Sequence, residues 1–290
     1  MRPLKTVDLT HCPTLPTRDE EPCVMALGFF DGVHIGHQQV IAAAKQIADR
    51  RNLKLAVMTF YPHPKEVLSH GKIKMAYLTP MGEKKKIFAK LGVDKLYVIH
   101  FDLNFAKLSP EEFIGQYVIG LNAKHIIAGF DFTYGYKGQG NMETIEDDGK
   151  GYFQVTKIPK IDLEGQKISS TFIRELLSHG DVRGIASCLG DFYETKGDIF
   201  KYTKDSRGIR AEISTHPFYT LPTVGVYEIE VHIGKYIYHG ISHIRAKTED
   251  TIVNEITLSY LRKNIRHQTV KIKWLDRLFE SKSIELNVKH

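Results

Sequence analysis

A short apolar strand, a glycine-rich turn and a helix follow one another early in the chain, and this succession constrains the fold most. The run Val24–Leu27 predicts the strand, and Val40, Ala44 and Ile47 recur at helical spacing after the turn. A second strand is predicted at Leu53–Phe60. The segment is therefore predicted to be one βαβ unit, in which the two strands run parallel.

Strand and helix signals keep alternating through the first two-thirds of the chain. Further strands are predicted at Leu96–Ile99 and His125–Ala128, and a helix is predicted to end at Gly92. The segment Ser109-Pro110-Glu111-Glu112 is a capping box with proline at the first helical position, so another helix begins there. The alternation predicts an α/β domain with a parallel sheet covered by helices, whose ligands bind at the carboxyl ends of the strands.

The last third of the chain has a different pattern. Apolar residues alternate with polar ones around Tyr227–Ile233, Ile252–Leu258 and Val270–Trp274, which predicts antiparallel strands of a small barrel. A closing helix is expected near Leu275–Phe279. We therefore predict two domains, 1–188 and 189–290.

Composition narrows the classes of protein. Of the 290 residues, 42% are apolar and 26% charged, and the net charge of +6 is spread over both halves, which does not favour a nucleic-acid partner. Cys12, Cys23 and Cys188 form no CxxC pair, and no apolar run reaches the length of about 18 residues that a membrane span requires. The N-terminus lacks the apolar segment of a signal peptide. We expect a cytoplasmic protein with no membrane partner, and a homo-oligomer stays open.

The turn after the first strand carries two histidines within Leu27-Gly28-Phe29-Phe30-Asp31-Gly32-Val33-His34-Ile35-Gly36-His37. At spacing i and i+3, both imidazoles project from one face of the first helical turn. That turn also has unpaired backbone N–H groups and the positive end of the helix dipole, which together form an anion site. Gly28 lets a ligand approach the strand end, while Gly32 and Gly36 relieve crowding.

Spacing alone leaves three interpretations of these histidines: a phosphate site, half of a zinc site, or two surface side chains. A zinc site needs further ligands at suitable spacing, and none lies nearby in the sequence. The position of the HIGH sequence on the first turn of a βαβ unit favours phosphate. This arrangement resembles the HxGH motif of the nucleotidyltransferase superfamily, a signature that class I aminoacyl-tRNA synthetases share.

Four segments between residues 20 and 190 resemble one family, the prokaryotic FAD synthetases (riboflavin kinase/FMN adenylyltransferase). The turn with the two histidines is similar to the family's GxFDGxHxGHQ motif, and three later segments are similar to its TFxPHP, GxDFxFG and ISSTxIR motifs. They occur in the family's order at residues Gly28–Gln38, Thr59–Pro64, Gly129–Gly135 and Ile168–Arg174. The resemblance implies a Rossmann-like adenylyltransferase domain that transfers AMP from ATP to FMN with Mg²⁺, yielding FAD and pyrophosphate.

The resemblance also implies roles for individual residues. Catalysis by alignment and charge neutralisation is expected of His34, His37 and Arg174. The residues expected to bind ATP are Gly28, Phe29, Phe30, Asp31, Gly36, Ser169 and Ser170, of which the two serines open a helix. The residues expected to bind the flavin are Phe60, Pro62, Asp131 and Tyr134. Phe132 is expected to be either a flavin contact or a core residue.

The second domain resembles the riboflavin kinase barrel of that family but lacks its marks. Where the family has GFPTAN, this chain has Glu212-Ile213-Ser214-Thr215-His216-Pro217, which retains only the threonine. The expected catalytic glutamate falls near residues 252–256, where strand alternation places Asn254 inward and Glu255 outward unless a one-residue bulge reverses them. We therefore predict a degenerate kinase site at Thr215, Asn254 and Glu255.

Several other functions stay open at this point. The protein could be fully bifunctional, or it could be another HxGH enzyme such as a phosphopantetheine or nicotinamide mononucleotide adenylyltransferase. A third alternative, from another class, is a catalytically silent flavin-binding regulator that contacts RNA through basic residues near the C-terminus, namely Arg262, Lys263, Arg266, Lys271 and Lys273. A simpler interpretation is that these basic residues form a solvated face of a strand.

Overall fold

The computed structural model describes residues 3–11, 21–163, 165–205, 208–248, 251–259 and 268–278. The chain divides into two compact units, 1–170 and 171–290. This division falls earlier than the boundary at 188/189 expected from the sequence, and the functional domains 1–188 and 189–290 stay a prediction.

The first unit contains strands and helices in alternation. Its strands are β1 (Lys5–Thr10), β2 (Cys23–Leu27), β3 (Lys54–Tyr61), β4 (Lys95–His100), β5 (Ala123–Gly129), β6 (Thr133–Tyr134), β7 (Gly140–Asn141), β8 (Gln154–Ile158), β9 (Asp162–Leu163) and β10 (Gln166–Lys167). Its helices are α1 (Ile35–Arg51), α2 (Pro64–Leu68), α3 (Met81–Lys90), α4 (Pro110–Phe113) and α5 (Ile145–Gly149). Short 3₁₀ turns lie at Phe105–Lys107 and Tyr136–Gly138, and a π-helical segment at Ile114–Ile119 continues α4.

A six-stranded parallel sheet forms the centre of this unit, in the order β1-β4-β3-β2-β5-β8. The four inner strands are the ones that the apolar runs predict, so the α/β fold class is confirmed. The outer strands β1 and β8 escaped prediction because their residues are only partly buried and do not form apolar runs.

The burial of strand β2 shows that the sheet is covered on both faces. All five residues of β2 are buried, and they alternate between two core clusters, with Met25 and Leu27 in one and Val24 and Ala26 in the other. A strand buried on both faces reads as a continuous apolar run. The carboxyl end of this strand therefore lies at the middle of the sheet edge, where parallel α/β sheets bind ligands.

The capping box predicted at Ser109 is present and starts a helix as expected. The Ser109 side chain accepts a hydrogen bond from the backbone N–H of Glu112, whose carboxylate accepts one from the backbone N–H of Ser109 at 2.7 Å. Pro110 occupies the first helical position, where its missing N–H costs nothing.

The second unit is built around a closed barrel. Its strands are β11 (Tyr193–Asp205), β12 (Gly208–Thr215), β13 (Gly225–Ile233), β14 (Tyr236–Thr248), β15 (Thr251–Leu258) and β16 (Thr269–Leu278), in the order β11-β12-β15-β14-β13-β16. The pairing of β11 with β16 closes the barrel, and every pairing is antiparallel. Tyr227, Ile229 and Val231 are fully buried, which confirms the alternation predicted for β13.

One prediction for this unit is wrong. Leu275 to Leu278 extend strand β16 instead of starting a helix, and Phe279 lies outside the described residues. The cause is the pairing of β16 with β13, which continues as far as Val226 opposite Leu278 across a bulge at Glu228. Tertiary hydrogen bonding thus overrides the local pattern.

Two helices precede the barrel strands, α6 (Ser170–His179) and α7 (Val182–Leu189). The carboxyl end of α6 is held within the second unit, because the N–H of Thr223 donates to the Leu177 carbonyl at 3.0 Å. The Arg277 guanidinium donates to the carbonyls of His179 at 2.6 Å and Val224 at 3.2 Å. These bonds satisfy carbonyl groups that a helix end leaves unpaired.

The basic face proposed for RNA is only partly described. Lys271 and Lys273 lie on β16, where they pair with Glu194 at 2.9 Å and Asp191 at 3.3 Å, as expected for a solvated strand face. Arg262, Lys263 and Arg266 lie outside the described residues. No helix within the described segments is both long enough and apolar enough to span a bilayer.

We predict that Gly180→Ala destabilises the second unit more than Gly234→Ala. Both glycines have positive φ angles, +74° and +59°, so both substitutions carry left-handed strain of about 1 kcal/mol. At Gly180 the new Cβ would also lie 2.7 Å from the Tyr227 hydroxyl, while at Gly234 nothing lies within 4 Å. Denaturant unfolding should therefore place Gly180→Ala roughly 1–3 kcal/mol below the control. Equal losses would contradict this packing.

Candidate active site

The turn between β2 and α1 has an unusual backbone. Phe30 and Val33 have φ angles of +54° and +43°, a left-handed conformation that side chains disfavour, and Gly32 between them has +83°. The burial of both side chains, at 1% and 2% exposure, holds this conformation in place. A Cβ on Gly28 would lie 2.9 Å from the Phe30 ring. Gly28 therefore leaves room for this ring, and its expected contact with ATP stays a prediction.

His34 and His37 lie together at the start of α1. His34 is the N-cap residue, so it precedes the first helical turn instead of belonging to it. Its Nδ1 accepts the backbone N–H of His37 at 3.3 Å, and the two rings stack with centroids 3.6 Å apart. Because Nδ1 of His34 is an acceptor, the proton of the neutral ring is on Nε2, which can donate to a ligand.

Burial keeps both imidazoles neutral. Desolvation lowers the pKa of His34 from 6.5 to about 4, against the opposing charges of Asp131 and Asp31. Desolvation, followed by the neighbouring His34 and Lys84, holds the pKa of His37 well below its usual range. The Nδ1 atom of His37 is buried without a hydrogen-bond partner among the described residues. The pair therefore offers hydrogen bonds, and not positive charge, at neutral pH.

Gly36 allows the two rings to stack. A Cβ at this position would lie 3.1 Å from Nδ1 and 3.2 Å from Cε1 of His34. A side chain here would force the His34 ring to shift by a few tenths of an ångström. The glycine of the HxGH sequence therefore allows the close contact between this helix start and His34.

The carbonyl group of Phe29 is held by two donors from separate elements. The Thr59 hydroxyl, on β3, donates to it at 2.8 Å, and the Lys84 ammonium, on α3, donates at 2.8 Å. Lys84 Nζ also lies 4.7 Å from the centre of the Phe29 ring, whose edge contacts His63 at 4.5 Å between centroids. The Phe29 side chain is therefore packed within the site.

Asp31 joins the turn to the segment that leads into α3. Its carboxylate accepts the backbone N–H groups of Leu78 at 3.2 Å and Thr79 at 3.1 Å, and the residue is 2% exposed. The Ser170 hydroxyl donates to the Asp31 carbonyl at 2.8 Å, which brings the start of α6 to the turn. Six of the predicted ATP residues therefore lie in this turn, at the start of α1 or in contact with the turn: Gly28, Phe29, Phe30, Asp31, Gly36 and Ser170.

Two further predicted residues lie on either side of Ser170. Ser169 immediately precedes α6 and is half-buried in the first unit. Arg174 lies one helical turn later on α6, also half-buried, and belongs to the second unit. Their assignment to ATP phosphates stays a prediction.

The residues expected to bind the flavin differ in accessibility. Phe60 is half-buried on β3, with its ring 5.8 Å from that of Phe105, and Pro62 follows the end of that strand. Asp131 is exposed and pairs with Lys167 at 2.6 Å, so its carboxylate already has a cationic partner. The role of these three residues in flavin binding stays a prediction.

Tyr134 departs from the expected flavin surface. Its side chain is 5% exposed and lies in the core, with its ring 5.4 Å from Phe113 and 6.1 Å from Phe132. Its hydroxyl donates to Asp148, and together with desolvation this bond raises the tyrosine pKa. Because both the ring and the hydroxyl have partners within the protein, Tyr134 presents no open face to a flavin.

The candidate kinase residues lie as strand alternation predicts. Asn254 is 1% exposed, and its Oδ1 accepts the Ser242 hydroxyl at 2.7 Å, while its Nδ2 is buried without a partner in the described structure. Glu255 is half-buried and lies opposite Glu212 and His243. The pairing of β15 with β12 and β14 has no bulge between Asn254 and Glu255. Thr215 ends β12, opposite Gly197.

Lys84 is the site residue that sequence reasoning missed. It lies outside the four segments that resemble the family, next to Lys85 and Lys86, from which its residue type does not distinguish it. One signal was available: Lys84 precedes Phe88 by four residues, so both lie on the same face of α3, and both are buried. A lysine on the buried face of a helix needs a partner and marks a candidate site.

Comparisons with known proteins show the family to which this chain belongs. A sequence model described as FAD synthetase matches residues 17–172. A Bacillus subtilis protein named bifunctional riboflavin kinase/FMN adenylyltransferase is 39% identical over 95% of this chain and 90% of its own length. A Listeria monocytogenes protein named FAD synthetase is 31% identical over 77% of this chain and 87% of its own length.

A solved structure from Streptococcus pneumoniae has the same fold. It is titled a macrolide-efflux protein, and it superposes with a TM-score of 0.84 at 27% identity, over 97% of this chain and 93% of that one. The sequence model covers the HxGH turn, and the Bacillus subtilis relative covers 95% of the chain. On these grounds the chain belongs to the FAD synthetase family.

Proposed function

We propose that this protein is an FMN adenylyltransferase, which transfers AMP from ATP to FMN and releases pyrophosphate and FAD. The observation that carries the proposal is the pair of stacked neutral imidazoles of His34 and His37 at the start of α1. Family membership supports the choice of FMN and ATP as substrates.

The reaction needs no nucleophile from the protein. An oxygen of the FMN phosphate attacks the α-phosphorus of ATP, and the bond to the oxygen that bridges to the β-phosphorus breaks. Pyrophosphate leaves with that electron pair, and FMN at neutral pH has no proton to give up at the attacking oxygen. The protein therefore acts by aligning the reactants and by binding the phosphate oxygens as charge shifts between them.

Each predicted residue has a defined part in this proposal. His34 and His37 donate imidazole N–H groups to phosphate oxygens, and the N–H groups at the start of α1 add further donors. Ser170 fixes the start of α6 against the turn through the Asp31 carbonyl. The family resemblance supports phosphate binding by Ser169 and, with its guanidinium as a bidentate donor, by Arg174.

Mg²⁺ is proposed as part of the nucleotide substrate. The described residues contain no group of three or more His, Cys, Asp or Glu side chains that could hold a metal ion. Mg²⁺ commonly keeps several waters and binds substrate phosphates with few protein ligands. It would then enter with ATP and neutralise phosphate charge.

We further propose that the barrel does not phosphorylate riboflavin. The first four residues of the segment in place of GFPTAN, Glu212 to Thr215, end β12. There Ile213 and Ser214 pair with Ile199 and Asp198, so the backbone of these residues belongs to the sheet. The inward position near the expected base is Asn254, an amide that cannot accept a proton from a hydroxyl. The relatives named bifunctional make retained kinase activity the rival hypothesis.

A paired assay tests both parts of the proposal. Purified protein with ATP and Mg²⁺ receives FMN in one reaction and riboflavin in the other, and chromatography separates the flavins. We expect FAD from FMN, and neither FMN nor FAD from riboflavin. A His34→Asn variant controls for enzymes of the expression host. Conversion of riboflavin would refute the loss of kinase activity, and binding of flavin with no product from either substrate would favour a regulator.

We predict that Gly36→Ala lowers kcat by about 10- to 100-fold, because the added methyl displaces the His34 ring. Alanine favours helix over glycine, so the stability of the fold should not fall. Gly82→Ala in α3 is the matched control, since a Cβ there meets nothing within 4 Å. Equal activity of the two variants would show that ring stacking does not matter.

We predict that the imidazole of His34 stays neutral down to about pH 5 and that His37 titrates well below its usual range, because burial holds both pKa values low. NMR of ¹⁵N-histidine-labelled protein measures this, with assignments from His34→Gln and His37→Gln. The unfolded chain binds these protons near pH 6.5, so native stability should decrease as the pH falls from 6.5 towards 4. A midpoint near 6.5 for either ring would contradict the prediction.

A further inference from the structure

Lys84 carries a buried ammonium group that contacts the turn between β2 and α1. The residue is 1% exposed, and its Nζ donates to the Phe29 carbonyl at 2.8 Å. Burying a charged group is costly unless partners compensate for it. A methionine would fill the same space without that cost, so the charge itself calls for an explanation.

The groups around Lys84 connect it to both ends of the turn. At one end, Lys84 and Thr59 hold the Phe29 carbonyl. At the other end, Asp31 accepts the N–H groups of Leu78 and Thr79, five to six residues before Lys84 in the chain. The segment 78–84 thus binds both ends of Phe29–Asp31, which includes the left-handed Phe30.

Lys84 also differs from the histidines in charge. Burial lowers the pKa of Lys84 from 10.5 to about 8, and the carboxylate of Asp31 opposes this shift. The charged or titratable groups that affect Lys84 or are affected by it are Asp31 on the turn and His37 on α1. At neutral pH the histidines are neutral and Lys84 is mostly charged. It therefore brings a positive charge to the turn where they bring none.

We propose that Lys84 is a positioning residue for adenylyl transfer, which holds the turn in its binding conformation and supplies a buried positive charge for the nucleotide phosphates. This inference rests on the proposed function. Phosphates bound at the turn would favour the charged form of Lys84, because an anion nearby raises the pKa of an amine. Nucleotide binding near pH 8.5 is therefore accompanied by proton uptake at Lys84.

The test measures binding of the ATP analogue with a methylene group between its α- and β-phosphates, which cannot transfer AMP. Calorimetry of the full-length protein at pH 7.0 and 8.5, in two buffers that differ in ionisation enthalpy, gives the affinity and the number of protons taken up. The variants are Lys84→Met, which removes the charge, and Lys84→Gln, which keeps a donor for the Phe29 carbonyl. Lys86→Met, at an exposed position of the same helix, is the control.

Wild type and Lys86→Met are expected to take up protons at pH 8.5, and Lys84→Met to take up none and bind roughly tenfold or more weakly. Lys84→Gln should regain part of kcat with FMN and ATP but none of the proton uptake, which separates holding the turn from supplying charge. A purely structural lysine would leave proton uptake unchanged between wild type and Lys84→Met.

Two results would overturn the inference: equal proton uptake in wild type and Lys84→Met, or equal affinity of the two for the analogue. Lys84→Met should fold, because it replaces a buried charge with an apolar side chain of similar length. If Lys84→Met does not fold, Lys84→Gln decides the charge component by the same measurement. A wild type that does not bind the analogue at all would count against the proposed function, which separates the two failures.

Discussion

Two hydrogen bonds to the carbonyl oxygen of Phe29 fix the turn between β2 and α1. Thr59 from β3 and Lys84 from α3 both donate to it, so two elements of the first unit fix the place where the central strand ends. From there the chain passes through the left-handed Phe30 and Val33 and enters α1 with His34 as its cap. Burial of Phe30 and Val33 and the bonds to Asp31 offset the strain of that path.

The two units use polar groups in different ways. In the first unit, two buried histidines and a buried lysine lie at one turn, and burial lowers the pKa of all three side chains. In the barrel, the buried polar side chains Thr195, Ser242 and Asn254 are uncharged. Asn254 accepts the Ser242 hydroxyl, and Thr195 accepts the indole N–H of Trp274.

The sequence predicted elements well where the pattern was local. Apolar runs located the four inner strands, and the capping box located the start of α4. It failed at β1 and β8, which are edge strands with few buried residues, and at Leu275–Leu278, where pairing with β13 extends a strand through a pattern that favoured a helix. An edge strand forms because it pairs with a neighbouring strand, and the spacing of apolar residues in the sequence does not show that pairing.

The sequence by itself determined the βαβ order, the HxGH turn and the inward position of Asn254, because strand and helix periods follow from spacing along the chain. Tertiary structure alone decided which side chains are reachable and which are charged. In the folded chain Tyr134 lies in the core, and the Phe30 ring packs against Gly28. Lys84 contacts the Phe29 carbonyl, from which it is 55 residues away in the sequence. Burial and pKa depend on groups that meet only when the chain is folded, so no local pattern encodes them.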